Sequence, residues 1–548
     1  MEHYFGNISA SELKKGVSIE EVIALAKQCQ DSPSLELAKA HMGNPMASMR
    51  LEETLALINE SFGKDNPTFA KSFTQSLTAT SGITAYSLEA PAKMIYPVLT
   101  PHRNETPRVS ALGGIQAAWR AVTGVNVNNK AWGISEGNRS QVTTNATADY
   151  TAAYKGGGSD SFTTWEAEYA GEGFQDVYAL DALTLLHSTM IEEERIILGG
   201  NNSIALTQIG TVTKTLQDAG GSLPDSTTYY IQVVGLTAEG LAASSVAGGL
   251  PISGNITLAD GTVEARKMGT SQPSAEVSQA TGTGGAGNAH QITLSWPVKN
   301  GAVAYAIYWG TVSGQGILGA IVSNNSYIIK AAATGTQTAN LIPNSDNSRN
   351  SLVYDGYLYQ IFNSAVTNAY VVAQATGTPG TGTPLTGDGY GQIVEFENVL
   401  QYMWDNYRLS PTEIWWNSRE ARNATPKILA GQANTTQRFN FIVEQDKLTG
   451  GVIVKNYWNR YGLTDELQSI PLRIDPNLPP GTVFFNTKWV PYKMSNVTNV
   501  SQMRMRREYH QVDWVPTARK KPIGVYWDGV LQCYVPFAQS IITNIANG

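Results

Sequence analysis

From Asp176 to Leu198 the chain reads DVYALDALTLLHSTMIEEERIIL, with no proline or glycine until Gly199 and Gly200. Leu180, Leu183, Leu186, Met190 and Ile197 recur at spacings of three or four residues or their multiple, which predicts a helix with one apolar stripe. At about 1.5 Å rise per residue such a helix is roughly 35 Å long, the beam of a domain rather than a filler between strands. Glu192, Glu193, Glu194 and Arg195 fall near its end. Three carboxylates there oppose the helix dipole and gain only from a cationic neighbour; the ordinary reading of such a run is a solvated polar face.

A chain of 548 residues exceeds the size at which one core stops growing, so two or three domains are expected. Only 15% of residues are charged and glycines number 52, which favours a β-rich protein with many turns or one that covers its surface with copies of itself. The formal net charge of -7 argues against coating nucleic acid or anionic lipid as a monomer. Cys29 and Cys533 are the only cysteines, so neither a disulfide framework nor a cysteine-rich metal site is expected. The opening MEHYFGNISASELKK lacks the order of a signal peptide, and no apolar run is long enough to span a membrane.

In chain order, residues 1–100 read as an arm of short amphipathic helices followed by an extended strap, from Phe69 to Pro107, punctuated by Pro91, Pro97, Pro101 and Pro107. QVTTNATADYTAAY, KGGGSD and SFTTWEAEYAGEGF predict a long antiparallel hairpin over 139–172, turning at its glycines and carrying Tyr150, Tyr154, Phe162, Trp165 and Tyr169. Such a hairpin is not stable alone and must lie against another surface. Residues 206–388 are poor in charge, with strand-like runs such as QITLSWPV and VAYAIYWGT between turn signals. Bounded by Gly199-Gly200-Asn201-Asn202 and TGTPGTGTPLTGDGYG, this stretch reads as an inserted β-sandwich between two linkers, with a core of Leu294, Trp296, Tyr305 and Ile307. From 389 to 548 a helix over Ile393 to Tyr407, the strand TEIWW, the helical SREARNATPKILA and several further strands predict an α+β block.

Sequence motifs for catalysis fail on context. Gly282, Gly284 and Gly287 match a dinucleotide fingerprint but precede a strand, and Gly133 to Gly137 match a nucleophile elbow without the strand and helix that chemistry needs. Six histidines are scattered, so a metal site would have to assemble entirely in three dimensions. Glu166 and Glu168 suit a polar strand face better than a glycosidase pair. No catalytic, cofactor or metal residue is therefore assigned. Arg504, Arg506 and Arg507, with Arg519, Lys520 and Lys521, form the one dense basic set, read as salt bridges between subunits in preference to nucleic acid.

Taken together, the long hairpin, the long helix ending in acids and glycine, LSPTEIWWNSREA (409–421) and IPLRIDPNLPPGTVFF (470–485) resemble the major capsid proteins of tailed bacteriophages, the HK-ninety-seven type or Johnson fold. The resemblance covers about 100–205 and 390–548. ITLSW followed by AYAIYWGT resembles the early strands of fibronectin type III and immunoglobulin-like domains. The implied fold is α+β: an N-terminal arm (1–100), an extended loop and peripheral domain with a spine helix (101–205), an inserted all-β sandwich (206–388), and an axial domain with return strands (389–548). The resemblance implies a non-enzymatic shell protein that forms hexamers and pentamers and encloses double-stranded DNA without sequence specificity. Portal, scaffold or decoration proteins are the other partners implied, with assembly in the host cytoplasm, location in the virion, and no membrane or cofactor. Tyr150, Tyr154, Lys155, Phe162, Trp165, Glu192, Glu193, Glu194, Arg504, Arg506 and Arg507 become the candidate subunit contacts, with Lys155 at the hairpin tip. A phage tail adhesin and a carbohydrate-active enzyme with an accessory sandwich are the alternative readings.

Overall fold

The predicted helix is present as Val177–Gly199, capped by the Asp176 carboxylate, which accepts the Ala179 N–H at 3.0 Å. In this computed structural model the described residues are 93 and 95–546, apart from 112, 129–132, 173–174, 253, 284–288, 430–441, 445–446, 450–453, 463–464 and 492–494. The arm expected before residue 93 lies outside them. The strap is not extended throughout: Pro101 opens a short helix, Pro101–Glu105, because a proline suits the first helical position, where no N–H is needed.

The long helix lies on a four-stranded sheet ordered Arg108–Ser110, Ser501–Asp513, Lys520–Cys533 and Lys155–Thr164. Alternate residues of the last strand face it: the Ser159 hydroxyl donates to Glu192, and those of Ser161 and Thr163 donate to Asp181. Leu185, Ile523 and Val525 form the apolar contact, with Ala182 and Leu186 beside them. The buried stripe is thus rotated from the expected one, and Leu183 is 45% exposed.

The predicted hairpin is corrected. Lys155–Thr164 pairs with Lys520–Gly529, and Ala146–Ala153 pairs instead with Gln116–Gly124. The glycines read as its turn, Gly156 to Gly158, are strand, and a Cβ on Gly157 would come within 2.5 Å of the Trp527 ring. Glycine was needed for a large aromatic neighbour, not for a bend. Trp165–Gly171, also expected as strand, is a helix capped by Thr164.

A six-stranded sheet runs Tyr370–Ala373, Ser540–Thr543, Val483–Asn486, Glu413–Trp416, Ser469–Ile474, Asn456–Trp458. Its central strands are buried on both faces, which explains the unbroken apolar runs EIWW and VFF. Ile414, Trp416, Val483 and Phe485 meet Phe396, Val399, Leu400 and Met403 of helix Val394–Tyr407. Trp415, Phe484 and Ile541, on the other face, meet Leu358 and Ile361 of helix Tyr357–Phe362 and Ile197 and Leu198 of the long helix.

Between these blocks sits a two-sheet sandwich of seven strands. Thr213–Gln217, Gln291–Ser295 and Ser326–Ile329 make one sheet, and Val277–Ala280, Thr228–Leu236, Ala304–Gly310 and Ile317–Val322 the other. Leu294, Trp296, Tyr305 and Ile307 are buried in the core between them, as expected, with Ile231, Val233 and Trp309. The strand order departs from the immunoglobulin one. There the first and second strands share a sheet, whereas here the first pairs with the fourth, and the second with the third and fifth. The resemblance rested on two consecutive strands, and a local pattern does not fix the order of the rest.

The expected right-hand edge at 388 does not coincide with this sandwich. Tyr357–Phe362 is buried in the core beneath the long helix, and Tyr370–Ala373 pairs in parallel with Ser540–Thr543. Neither glycine-rich boundary is a loose linker. A Cβ on Gly200 would strike the carbonyl oxygens of Tyr354 and Ile196, while Asn350 N–H donates to Asn201 O at 2.7 Å. Among the described residues no helix is long and apolar enough to cross a membrane.

Candidate interface surfaces and the buried polar joint

The ribbon Gln116–Gly124/Ala146–Ala153 is held to the rest of the chain at its root. Ala117 and Tyr154 enter the core below the long helix, and Trp119 packs on Tyr150 across the ribbon and edge-on against Tyr534, both at 5.9 Å. Beyond that the pair continues through Val127 N–H to Thr144 O at 2.9 Å, and among the described residues nothing covers its apolar side chains. Val125 and Val142 are 76% and 82% exposed, and Ile115, Val122, Val127 and Ile134 are also exposed. An exposed apolar run of this extent marks a surface that is covered by something else.

The candidate contact residues divide. Tyr150 lies on the ribbon and Tyr154 at its buried root, under the Arg506 guanidinium at 5.7 Å. Lys155 is at no tip: it opens a strand paired with Gly529, and its Nζ donates to Ser351 O at 2.5 Å. Phe162 and Trp165 are exposed, covered in part by Lys520 at 4.0 Å and Arg519 at 6.0 Å. Most of the basic set, expected to bridge subunits, has partners within its own chain. Arg504 donates to Gln532, Arg506 pairs with Asp528, Arg519 with Glu166 at 2.9 Å and Lys521 with Glu168 at 2.5 Å. Arg507 is exposed, and its side chain makes no hydrogen bond or ion pair to a described residue. The two glutamates are thus salt-bridged surface residues of one helix rather than a catalytic pair.

The acidic run at the helix end is where the polar-face reading fails. Glu192 is exposed, but Glu193 and Glu194 are 0% and 1% exposed. Glu193 receives Arg103 Nε at 2.8 Å and Arg108 at 2.6 Å, together with the Tyr509 hydroxyl. Burial, with the Glu193 charge beside it, pushes the Tyr509 phenol well above its usual range. Glu194 caps the strap helix from below, its two oxygens accepting His102 N–H at 3.1 Å and Arg103 N–H at 2.6 Å. Burial raises its carboxyl above the ordinary value.

On the far side of the strap, Glu105 pairs with Arg473 and Lys488, which also reach buried Glu413 at 3.3 and 2.9 Å. His102, between the two groups, places Nε2 3.0 Å from Asp475 Oδ2, with its ring 4.5 Å from that of Trp415. One short segment is therefore bonded to the long helix on one side and to the six-stranded sheet on the other. Sequence reading missed Arg103, Arg108, Tyr509 and Asp475; the available signal was that a buried acidic run demands cations, and RNETPR in the strap supplies two.

No family model matches the chain, and no curated protein matches it. Solved structures similar to it include the capsid of the native GTA particle computed with C5 symmetry, at TM-score 0.35 and 8% identity, covering 85% of this chain and 96% of that one. The capsid of Myoviridae phage XM1 gives TM-score 0.35 at 8% identity, covering 84% of this chain and 97% of that one. The cyanophage Pam1 capsid asymmetric unit gives 0.34 at 10% identity, covering 86% and 99%.

Proposed function

We propose that the chain is the repeating subunit of a closed protein shell, a major capsid protein of the tailed-phage type. The ribbon carries this reading: two strands paired with each other, rooted in the core, and covered by no described residue along the outer half, where Val122, Val125, Val127 and Val142 are exposed. Two-stranded ribbons are marginal in water by themselves, so a covering surface is required, and a neighbouring copy supplies one in every subunit of a shell. The sequence resemblance of the 409–421 and 470–485 segments points the same way. In this reading hexamers and pentamers build the shell, double-stranded DNA lies inside without sequence-specific contacts, and portal, scaffold or decoration proteins are its other partners. Assembly takes place in the host cytoplasm, and the sandwich faces outward, where it does not occupy the genome's volume. The role is structural, with no reaction assigned.

The test is electron microscopy of the purified full chain, expressed alone and with phage assembly factors, beside analytical ultracentrifugation. Capsomers or closed shells are expected. A monodisperse monomer at every concentration and salt would remove the shell reading, and trimeric fibres would favour the adhesin.

A further inference from the structure

We propose that His102, Glu194 and Asp475 form a site for one divalent transition-metal ion that ties the strap to the long helix and to the six-stranded sheet. The three come from separate elements: the strap helix Pro101–Glu105, the last turns of Val177–Gly199, and the residue after strand Ser469–Ile474. Their ligand atoms lie within 4.8 Å of one another, and all three residues are buried, Asp475 completely.

Charge is the first argument. Two carboxylates are held out of water, and among the described residues no lysine or arginine side chain is paired with either. Arg103 and Arg108 are turned to Glu193, and Arg473 and Lys488 to Glu105 and Glu413. Buried charges without compensation are costly enough that proteins pair them or place them on a metal. A dication with two carboxylates and a neutral imidazole sums to zero.

Geometry is the second. His102 Nε2 and Asp475 Oδ2 stand 3.0 Å apart, yet neither makes an aligned hydrogen bond to any group. Metal–nitrogen and metal–oxygen bonds of about 2.1 Å place adjacent ligand atoms roughly 3.0 Å apart at the right angle of an octahedral site and roughly 3.4 Å apart at the wider angle of a tetrahedral one, so this separation suits two ligands of one ion. The remaining contacts orient the ligands as outer partners of a metal site do. Glu194 accepts the two strap N–H groups, Asp475 Oδ1 accepts Asn477 N–H at 2.9 Å, and the His102 ring rests against Trp415. One imidazole with two carboxylates suits zinc, manganese or ferrous iron better than magnesium or calcium, which prefer all-oxygen shells. This inference stands apart from the shell reading, because the joint lies within one chain.

The experiment is elemental analysis of the untagged full chain by plasma mass spectrometry, as purified without chelator and again after refolding from denaturant with zinc, with manganese or with EDTA. About one ion per chain is expected as purified, with recovery of that content and a higher unfolding midpoint after refolding in metal than in EDTA. His102→Asn and Asp475→Asn should each lower the content at least about tenfold, while Glu192→Gln, exposed and outside the ligand set, should leave it unchanged. If the variants are insoluble, the wild-type refolding series decides alone. Under about a tenth of an ion per chain in all preparations, with equal midpoints in metal and EDTA, overturns the proposal.

Discussion

The sandwich and the ribbon are both β-structure built from residues poor in charge, yet they solve opposite problems. In the sandwich the facing sides of seven strands meet each other, with Ile231, Ile292, Leu294 and Ile307 at 0% exposure, and the far side of the four-stranded sheet is covered too, by a second cluster that includes Val234, Ala306, Tyr308 and Leu318. The ribbon has one layer, so alternation gives it two faces and no interior; its burial pattern is intermediate and exposed in turn, with a single buried residue in Gln116–Gly124. A second sheet supplies an inside, and a lone pair of strands must borrow one. The difference places stability in the sandwich and availability in the ribbon.

The largest expected effect breaks the comparison at its boundary. Excising 206–388 removes helix Tyr357–Phe362 and strand Tyr370–Ala373 with the sandwich, and with them the cover over Trp415, Phe484, Ile197 and Leu198. No soluble folded remainder is expected. Residues 203–348 expressed alone should unfold cooperatively, because they contain both apolar clusters of the sandwich. Circular dichroism with thermal melting checks both, and a folded remainder from the first deletion would return the boundary to 388.

Single substitutions come next. Trp296→Ala, which empties the sandwich core, should cost about 3–5 kcal/mol by denaturant unfolding. Glu193→Ala leaves Arg103 and Arg108 facing each other without their shared carboxylate and should cost about 3–5 kcal/mol, the size found for half of a buried pair. On the ribbon, Val125→Ser with Val142→Ser should move stability by no more than about 0.5 kcal/mol while abolishing shell formation. Equal losses of stability from the sandwich and ribbon changes would show that the ribbon is covered by its own chain.

These expectations mark what the sequence disclosed. The long helix, the strands EIWW and VFF, the two closing strands and the sandwich core were legible, because each has a local period or an apolar run that survives any tertiary arrangement. Pairing was not. Ala146–Ala153 could equally have joined the strand after it, and only the Trp527 and Tyr526 rings over Gly157 and Gly158 explain why those glycines run straight. The glycines at 199 and 200 carried the composition of a linker for a different cause, the closeness of the chain at Tyr354 to Gly356. The joint around His102 was hidden by distance in sequence, since its carboxylates lie 92 and 373 residues away (194 − 102 and 475 − 102). Only the acidic run pointed to it.

The smallest expected effect on stability gives the sharpest comparison. Arg120 and Asp149 face each other across the ribbon with Nε to Oδ1 at 2.6 Å, both well exposed, so exchanging them keeps the cross-strand pair and should leave the unfolding midpoint where it was. Arg120→Asp alone puts two carboxylates opposite each other and should loosen the ribbon locally without touching the core below Tyr154. For the free chain, therefore, the double exchange is silent. It is not silent to a neighbour, because the ribbon then presents its positive and negative charges in reversed places. If a second copy covers this face, the exchanged protein should assemble several-fold less well than the parent, more so at low salt, where exposed charges act over roughly 10 Å or more. Assembly of the double exchange at the parental rate across the salt series would mean that this face of the ribbon, which Val122 shares, meets solvent and that the copy-to-copy contact lies on the opposite face.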